Sequence, residues 1–210
     1  MTAARKHTTT VPTRDAVFDS AATLFAKSGF DGVSVEDIAR DAGVNKAMIY
    51  YHFADKLALY RAVLADGLGR MGATVNAIAM ASDAPATKLD RFIEAFVRMT
   101  ETRPWMPALM LREIAEGAPR LDEATMAHMR VVIASFAAIL ASGQQSGVFR
   151  RVHPILAYES VIGPIIINAA RERVAQQPTR KNADFPMLVA ISHKDVIAHA
   201  QDTAKRMLAP

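Results

Sequence analysis

Residues 34–56, SVEDIARDAGVNKAMIYYHFADK, decide the fold of the N-terminal part of the chain. Ser34 followed three residues later by an acid is a capping-box pattern, and the apolar residues after it recur at helical spacing. Gly43 predicts a left-handed helix end, and Asn45 is then placed to cap a second helix. Two short helices joined by a three-residue turn form a helix-turn-helix, which the sequence predicts over residues 34–53.

The second helix of this motif is predicted to have an exposed apolar and aromatic face. At about 100° per residue, Ile49 and Phe53 share the side that turns toward a core. The opposite half carries Ala47, Met48, Tyr50 and Tyr51. A water-facing helix rarely exposes such residues, so the pattern predicts a surface that binds a partner.

Donors around this face suit a DNA duplex as the partner. Lys46 can donate to a guanine edge or a phosphate, and Ala47 leaves room for a thymine methyl group. Further donors that can reach phosphates are Tyr50, Tyr51 and His52. Ser34 and Lys56 lie at helix N-termini, where an anionic phosphate is stabilised. The alternative is that the tyrosines pack against later helices of the chain and that the lysines are only solvated.

Net charge gives no support to either interpretation. The 210-residue chain has a formal net charge of +4, but residues 1–60 contain seven Lys/Arg and seven Asp/Glu, so the excess lies later. The lack of cysteine excludes disulfides and thiolate metal sites. The polar N-terminus has no apolar signal core, and residues 161–167 are too few to span a bilayer. We expect a cytoplasmic, nucleoid-associated protein with no membrane partner and a flexible basic tail at residues 1–11.

The rest of the chain is predicted to be helical. A first helix from Val17 closes at Gly29, and a fourth, capped by Asp55, runs towards residue 80. Further helical segments cover about 86–102, 104–116, 121–146, 154–175 and 188–208, with a polar surface loop at 176–187. The β-branched run 161–167 is compatible with a strand, but a helix kinked at Pro164 fits the flanking pattern better. The predicted fold class is all-α.

Residues 43–56, GVNKAMIYYHFADK, strongly resemble the signature of the Tet repressor (TetR) family. That signature has Gly-Val, a small or polar pair, Leu/Ile-Tyr, two variable or aromatic positions, Phe and a downstream Lys. The similarity covers roughly residues 12–65. It implies a three-helix DNA-binding domain, assigned to residues 12–71, and a helical-bundle domain for ligand binding and dimerisation, assigned to residues 72–210.

The resemblance also implies roles for individual residues. Base and backbone contacts are expected from Lys46, Ala47 and Tyr50, and phosphate contacts from Ser34, Tyr51, His52 and Lys56. Met48 departs from the threonine that is common in the family, which puts polar readout at that position in doubt. The expected function is sequence-specific transcriptional regulation by a repressor that a small, largely apolar effector releases from palindromic double-stranded operator DNA.

Two other classes of protein are less consistent with these residues. A helical-bundle enzyme would need a nucleophile with its base or a metal cluster, and no motif for either stands out. A non-specific architectural DNA binder would lack sequence preference and a large pocket. We expect no enzyme activity, no cofactor and no metal site. The glycine pattern of residues 67–72 matches a dinucleotide fingerprint, but it lacks the strand-to-helix context that this fingerprint needs.

Candidates for an effector pocket and a dimer interface lie in the C-terminal part. An apolar pocket is expected to use Trp105, Met106, Met110 and Phe136, although core packing is the alternative for each. The polar group of Arg112, Glu113 and Glu116 is expected as an intrahelical pair on a solvated face, with a pocket cluster as the alternative. Segments 153–174 and 186–208 carry apolar faces that predict the homodimer interface, or else an intramolecular cap.

Overall fold

The computed structural model describes residues 14–175 and 191–210, which contain helices and connecting turns but no strand. The helices are α1 (Arg14–Ser28), α2 (Val35–Ala42), α3 (Lys46–His52), α4 (Lys56–Met80), α5 (Pro85–Thr102), α6 (Met106–Ala115), α7 (Glu123–Gln145), α8 (Pro154–Ala175) and α9 (His193–Leu208). The all-α prediction is confirmed. The predicted tail at 1–11 and loop at 176–187 lie outside the described residues.

The chain forms two compact units whose division falls within α4. The described residues up to Val63 belong to the first unit, and those from Leu64 onward belong to the second. The sequence-based boundary after residue 71 lies two turns later on the same helix. One continuous helix therefore contributes to both units.

The first unit is built around α1. Gly29, at φ 76°, ends this helix in the left-handed conformation that its sequence predicts. The helix buries Phe25, whose ring meets that of Tyr60 on α4 edge to face, with 5.0 Å between centroids. Ile38 of α2 and Ile49 of α3 are also fully buried in this unit. Its three short N-terminal helices are thus held by apolar contacts rather than by helix propensity.

The second unit has an aromatic core formed by α5, α7 and α8. Phe136 lies 5.2 Å from Phe92 and 5.6 Å from Tyr158 between ring centroids. Burial raises the pKa of Tyr158 to about 12, because the phenolate would be poorly solvated there. Val75 of α4 and Leu208 of α9 belong to the same cluster. The last helix therefore closes the core, which accounts for much of its apolar face.

Residues 67–72 lie inside α4, so their glycines serve helix packing rather than a strand-to-helix turn. A Cβ built on Gly67 would lie 2.7 Å from Sδ of Met106. The absence of a Cβ at Gly67 therefore lets the side chain of Met106 on α6 pack closely against α4.

Helix α7 is long and apolar enough to cross a membrane by length and composition. Here Val132, Phe136, Ile139 and Leu140 of this helix are buried in the core cluster. Core helices of globular domains share this length and composition, so α7 is weak evidence for a membrane span.

Residues 161–167 lie within α8, so the strand alternative is wrong. The helix continues through Pro164. Since proline has no N–H, this turn of the helix lacks the backbone hydrogen bond to residue 160.

The predicted solvated face is wrong for Glu113, whereas Arg112 and Glu116 are exposed as predicted. Glu113 is fully buried, and its Oε1 accepts a hydrogen bond from Nη1 of Arg120 at 3.1 Å. Arg120 also pairs with Glu116, and the two carboxylates raise the pKa of its guanidinium. Glu113 thus belongs to a buried ion pair, because a buried carboxylate needs a charged partner and Arg120 supplies it from beyond the end of α6.

Candidate nucleic-acid interface

Two capped helices form the predicted helix-turn-helix. The backbone N–H of Asp37 donates to Oγ of Ser34 at 3.0 Å, and the N–H of Ser34 donates to Oδ2 of Asp37 at 3.0 Å. Hydrogen bonds from Ser34 and then from Arg40 lower the pKa of Asp37 to about 2. The capping box therefore stays ionised near neutral pH and fixes the start of α2.

The turn between α2 and α3 also has the predicted caps. Gly43 is left-handed, at φ 66°, and the N–H of Val44 donates to the carbonyl of Ala39 at 2.9 Å. Oδ1 of Asn45 accepts from the N–H of Met48 at 2.9 Å and caps α3. The turn of residues 43–45 is thus fixed by hydrogen bonds at both ends, and these bonds determine how α3 follows α2.

The two sides of α3 differ as the helical period predicts. Ile49 and Phe53 are buried, whereas Tyr50 is 46% exposed and Tyr51 is 80% exposed. Ala47 is exposed and Met48 is half-buried. Both tyrosine side chains are therefore exposed on the side of α3 opposite to Ile49 and Phe53.

Lys46 has an ion-pair partner that the sequence analysis missed. Its Nζ is hydrogen-bonded to Oε1 of Glu36 on α2 and lies 5.8 Å from the centre of the Tyr50 ring. The hydrogen bond to Lys46 lowers the pKa of Glu36, and that from Glu36 raises the pKa of Lys46. Both groups are thus held charged at the edge of the exposed face.

Lys56 is half-buried and has a role within the unit. Its Nζ donates to the carbonyls of Phe30 at 3.1 Å and Val33 at 3.0 Å and lies 4.1 Å from the centre of the Phe30 ring. These contacts fix the segment that leads into Ser34. The phosphate contact predicted for Lys56 stays a prediction. In the structure its ammonium already donates hydrogen bonds to the two backbone carbonyls.

His52 and Arg14 each contact an aromatic ring near the exposed face of α3. His52 is half-buried, and its ring lies 5.0 Å from that of Tyr51, edge to face. The guanidinium of Arg14 lies 5.1 Å from the centre of the Phe53 ring. Arg14 is not among the residues that the sequence predicts for this face. Its distance along the chain from Phe53 gave no signal that they would meet.

None of the four residues predicted for the effector pocket lines the two cavities of the second unit. Phe136 is only 1% exposed and belongs to the core, Met106 is buried against Gly67, and Trp105 and Met110 are half-buried. A cleft lined by α4 and α5 and a groove lined by α8 and α9 contain none of them. Their role in ligand binding stays a prediction, with core packing observed for Phe136 and Met106.

A capped helix-turn-helix followed by further helices defines a protein of the helix-turn-helix class, an arrangement that is common among DNA-binding proteins. Residues 17–63 match the family described as bacterial regulatory proteins, tetR family. Residues 85–195 match the tetracyclin repressor-like C-terminal domain. The chain therefore belongs to the TetR family.

Similar curated proteins are transcriptional regulators. The chain is 29% identical over 141 residues to RutR of Escherichia coli K12, a match that covers 67% of this chain and 66% of RutR. It is 43% identical over 47 residues to IcaR of Staphylococcus aureus strain Newman, a negative regulator of a biofilm operon, covering 22% of this chain and 25% of IcaR. The alignment with RutR thus spans just under two thirds of that protein.

Solved structures with a similar fold cover most of the chain. PfmR of Thermus thermophilus, a TetR-family regulator, has a TM-score of 0.72 at 27% identity, covering 92% of this chain and 99% of that chain. KstR2 of Mycobacterium tuberculosis, a ketosteroid transcriptional regulator, has a TM-score of 0.75 at 18% identity, covering 94% and 95% of the two chains. The likeness to KstR2 concerns the fold alone.

Proposed function

We propose that this chain is a cytoplasmic, non-catalytic repressor that binds palindromic operator DNA as a homodimer and leaves it when a small effector binds. Residues 12–71 bind the DNA, and residues 72–210 bind the effector and hold the dimer together. Two copies of α3 enter successive major grooves about 34 Å apart. The effector favours a state with lower DNA affinity, so operator DNA must weaken effector binding by the same factor.

The observation that carries the proposal is the exposed face of α3. Tyr50 and Tyr51 present hydroxyls beside Ala47, which is small enough for close approach to a base. Lys46 begins α3, and its partner Glu36 lies in the first turn of α2, which Ser34 caps. We assign base-edge contacts to Lys46, Ala47, Met48 and Tyr50, and phosphate contacts to Ser34, Tyr51, His52 and Lys56.

The second copy is proposed to pack on α8. Leu156 is 62% exposed and Ile167 is 61% exposed, and Ser160 and Gly163 lie between them on the same stripe of the helix. Such an apolar stripe suits a symmetric contact between two copies. By contrast, the outward residues of α9 include Lys194, Asp195, His199, Asp202 and Arg206. The apolar face of α9 is largely used in its own core, so α8 supplies the apolar part of the proposed interface.

Selection from a library of random DNA duplexes, with the unliganded full chain at low salt, tests this proposal. A palindromic consensus is expected. The variants Lys46→Ala and Tyr50→Phe should change that consensus, since each removes a donor from the face of α3. Lys27→Ala, on α1 of the same unit, is the matched control and should leave it unchanged.

Other outcomes of the selection would oppose the proposal. If the unliganded protein retained no DNA at low salt, it would not be a DNA-binding repressor. Retention without any consensus would indicate an architectural DNA binder instead. A small-molecule screen by thermal shift then tests for the effector.

A further inference from the structure

A cleft of about 290 Å³ lies between α4 and α5 in the second unit. Apolar side chains of Met71, Ile78, Ala95 and Met99 line part of it. Its volume is near the lower end of the range for small-molecule sites. The cleft therefore suits a compact ligand with an apolar portion.

Positive charge dominates the remaining lining of the cleft. Its arginines are Arg70, Arg91, Arg98 and Arg103, and Glu94 is the carboxylate among the lining residues. Arg98 is paired with Glu94 on its own helix. Arg70 is paired with Asp66, with 2.8 Å between its Nε and Oδ1 of the acid. Arg91 is paired with Asp83, so these three arginines each have a carboxylate partner.

Arg103 is the arginine with incomplete pairing. Its side chain is only 26% exposed, and its Nε lies 3.5 Å from Oδ2 of Asp66, an acid that also serves Arg70. Within residues 14–175 and 191–210, its two Nη groups have no hydrogen-bond partner. A guanidinium that is mostly shielded from water is stabilised by an anion that accepts hydrogen bonds from its N–H groups. A carboxylate suits this role, because its two oxygens can accept two parallel N–H bonds from one guanidinium.

We propose that the cleft binds a small organic carboxylate, with Arg103 holding the carboxylate and the apolar side chains of α4 and α5 holding the hydrocarbon part. The proposal rests on the proposed function in one respect, because it names the chemical class of the effector. The sequence predicts a small, largely apolar effector, and the lining of the cleft specifies an effector with both an apolar part and a negative charge.

Calorimetric titration of the full chain with sodium hexanoate, in the absence of DNA, tests the site. Hexanoate should bind saturably. Hexanamide, which lacks the charge, and acetate, which lacks the chain, should each bind about tenfold more weakly or worse. Equal binding of hexanamide would overturn the role of Arg103, and equal binding of acetate would overturn the role of the apolar lining.

Two substitutions that are expected to change hexanoate affinity in opposite directions test the role of Arg103. Arg103→Gln should weaken hexanoate binding about tenfold or more. Asp66→Asn should strengthen it, because the acid competes with the ligand for the same guanidinium. Arg130→Gln, which removes an arginine paired with Glu123 on α7, is the matched control and should bind as the wild type does.

Melting temperatures of the unliganded variants separate a lost site from a lost fold. If Arg103→Gln melts early, Arg103→Lys replaces it, since lysine keeps the charge beside Asp66 but cannot bond a carboxylate in two places. Full hexanoate affinity in the Arg103 variant, or weaker binding by a normally melting Asp66→Asn, would overturn the proposal.

The effector role has a separate readout. Hexanoate should release selected operator DNA from the wild type but not from Arg103→Gln. Binding without release would overturn the effector role and leave the site standing. Failure of the unliganded protein to bind DNA would instead contradict the proposed repressor function, whatever the titration shows.

Discussion

The ion pair between Glu36 and Lys46 places a negative charge beside the surface proposed to meet DNA. Each side chain is about half exposed to solvent, so the ion pair contributes little to the stability of the fold. Its effect on binding is different in kind. The carboxylate of Glu36 pairs with Lys46, and its negative charge disfavours a nearby phosphate, so we expect it to weaken non-specific DNA contacts.

Replacing the acid tests this expectation. Glu36→Gln should raise affinity for random-sequence duplex DNA by roughly two- to fivefold, because Lys46 is released and a negative charge is removed. Fluorescence anisotropy with a random duplex measures the change. Asp41→Asn, on the same helix, alters net charge equally and is the control. An equal gain in both variants would mean that only net charge matters.

Residue-scale features were predictable where they depend on local spacing. The burial of Ile49 and the exposure of Tyr51 follow from the helical period, and the caps follow from short-range hydrogen bonds. The pairing of Glu36 with Lys46 and the carbonyl contacts of Lys56 were not predictable. They depend on how separate helices and loops approach each other, which spacing along one helix does not encode.

At the scale of single helices, α7 ends in a tight contact with the segment that follows it. The N–H groups of Val148 and Phe149 donate to the carbonyl of Gly143 at 2.9 and 3.0 Å. The Phe149 ring then lies where a Cβ on Gly143 would be. Glycine is therefore required inside this helix for the chain to fold back.

A methyl group at this position should destabilise the protein. Gly143→Ala should lower the free energy of unfolding by about 1–3 kcal/mol, since the buried Phe149 ring must move. Gly69→Ala, inside α4, is the control, because its Cβ would make ordinary contact with His128 at 3.4 Å and should be neutral or stabilising. Denaturant unfolding of both variants measures this, and an unchanged Gly143→Ala would contradict the packing described.

Whole helices were more predictable than the contacts between them. Predicted segments such as 121–146 agree with α7 (Glu123–Gln145) to within a few residues, because apolar periodicity and caps are local signals. Burial of Glu113 was not predictable, since its partner Arg120 follows a turn through Gly117 and Ala118 at positive φ. The face of α9 was apolar as expected, but periodicity alone does not distinguish an interface from a core.

At the scale of the whole molecule, the proposed dimer makes a direct prediction. The double variant Leu156→Glu, Ile167→Glu should raise the dimer dissociation constant about a hundredfold or more, because it buries unpaired carboxylates in the contact between copies. Light scattering coupled to size-exclusion chromatography measures the mass.

The structure offers a matched control for this prediction. Ile114, on α6, is 67% exposed and lies outside the proposed interface. Ile114→Glu should leave the dimer intact. A double α8 variant that stays dimeric, or an Ile114→Glu variant that dissociates, would place the interface elsewhere.

The close approach of α6 to α4 has a spectroscopic consequence. Trp105 is the single tryptophan of the chain, and Cη2 of its indole would lie 3.2 Å from a Cβ on Gly67. Gly67 also lines the cleft between α4 and α5. The only tryptophan in the sequence therefore packs beside a residue of α4 that lines the cleft. Its fluorescence should respond to changes in the packing of α4 and α6 without any attached label.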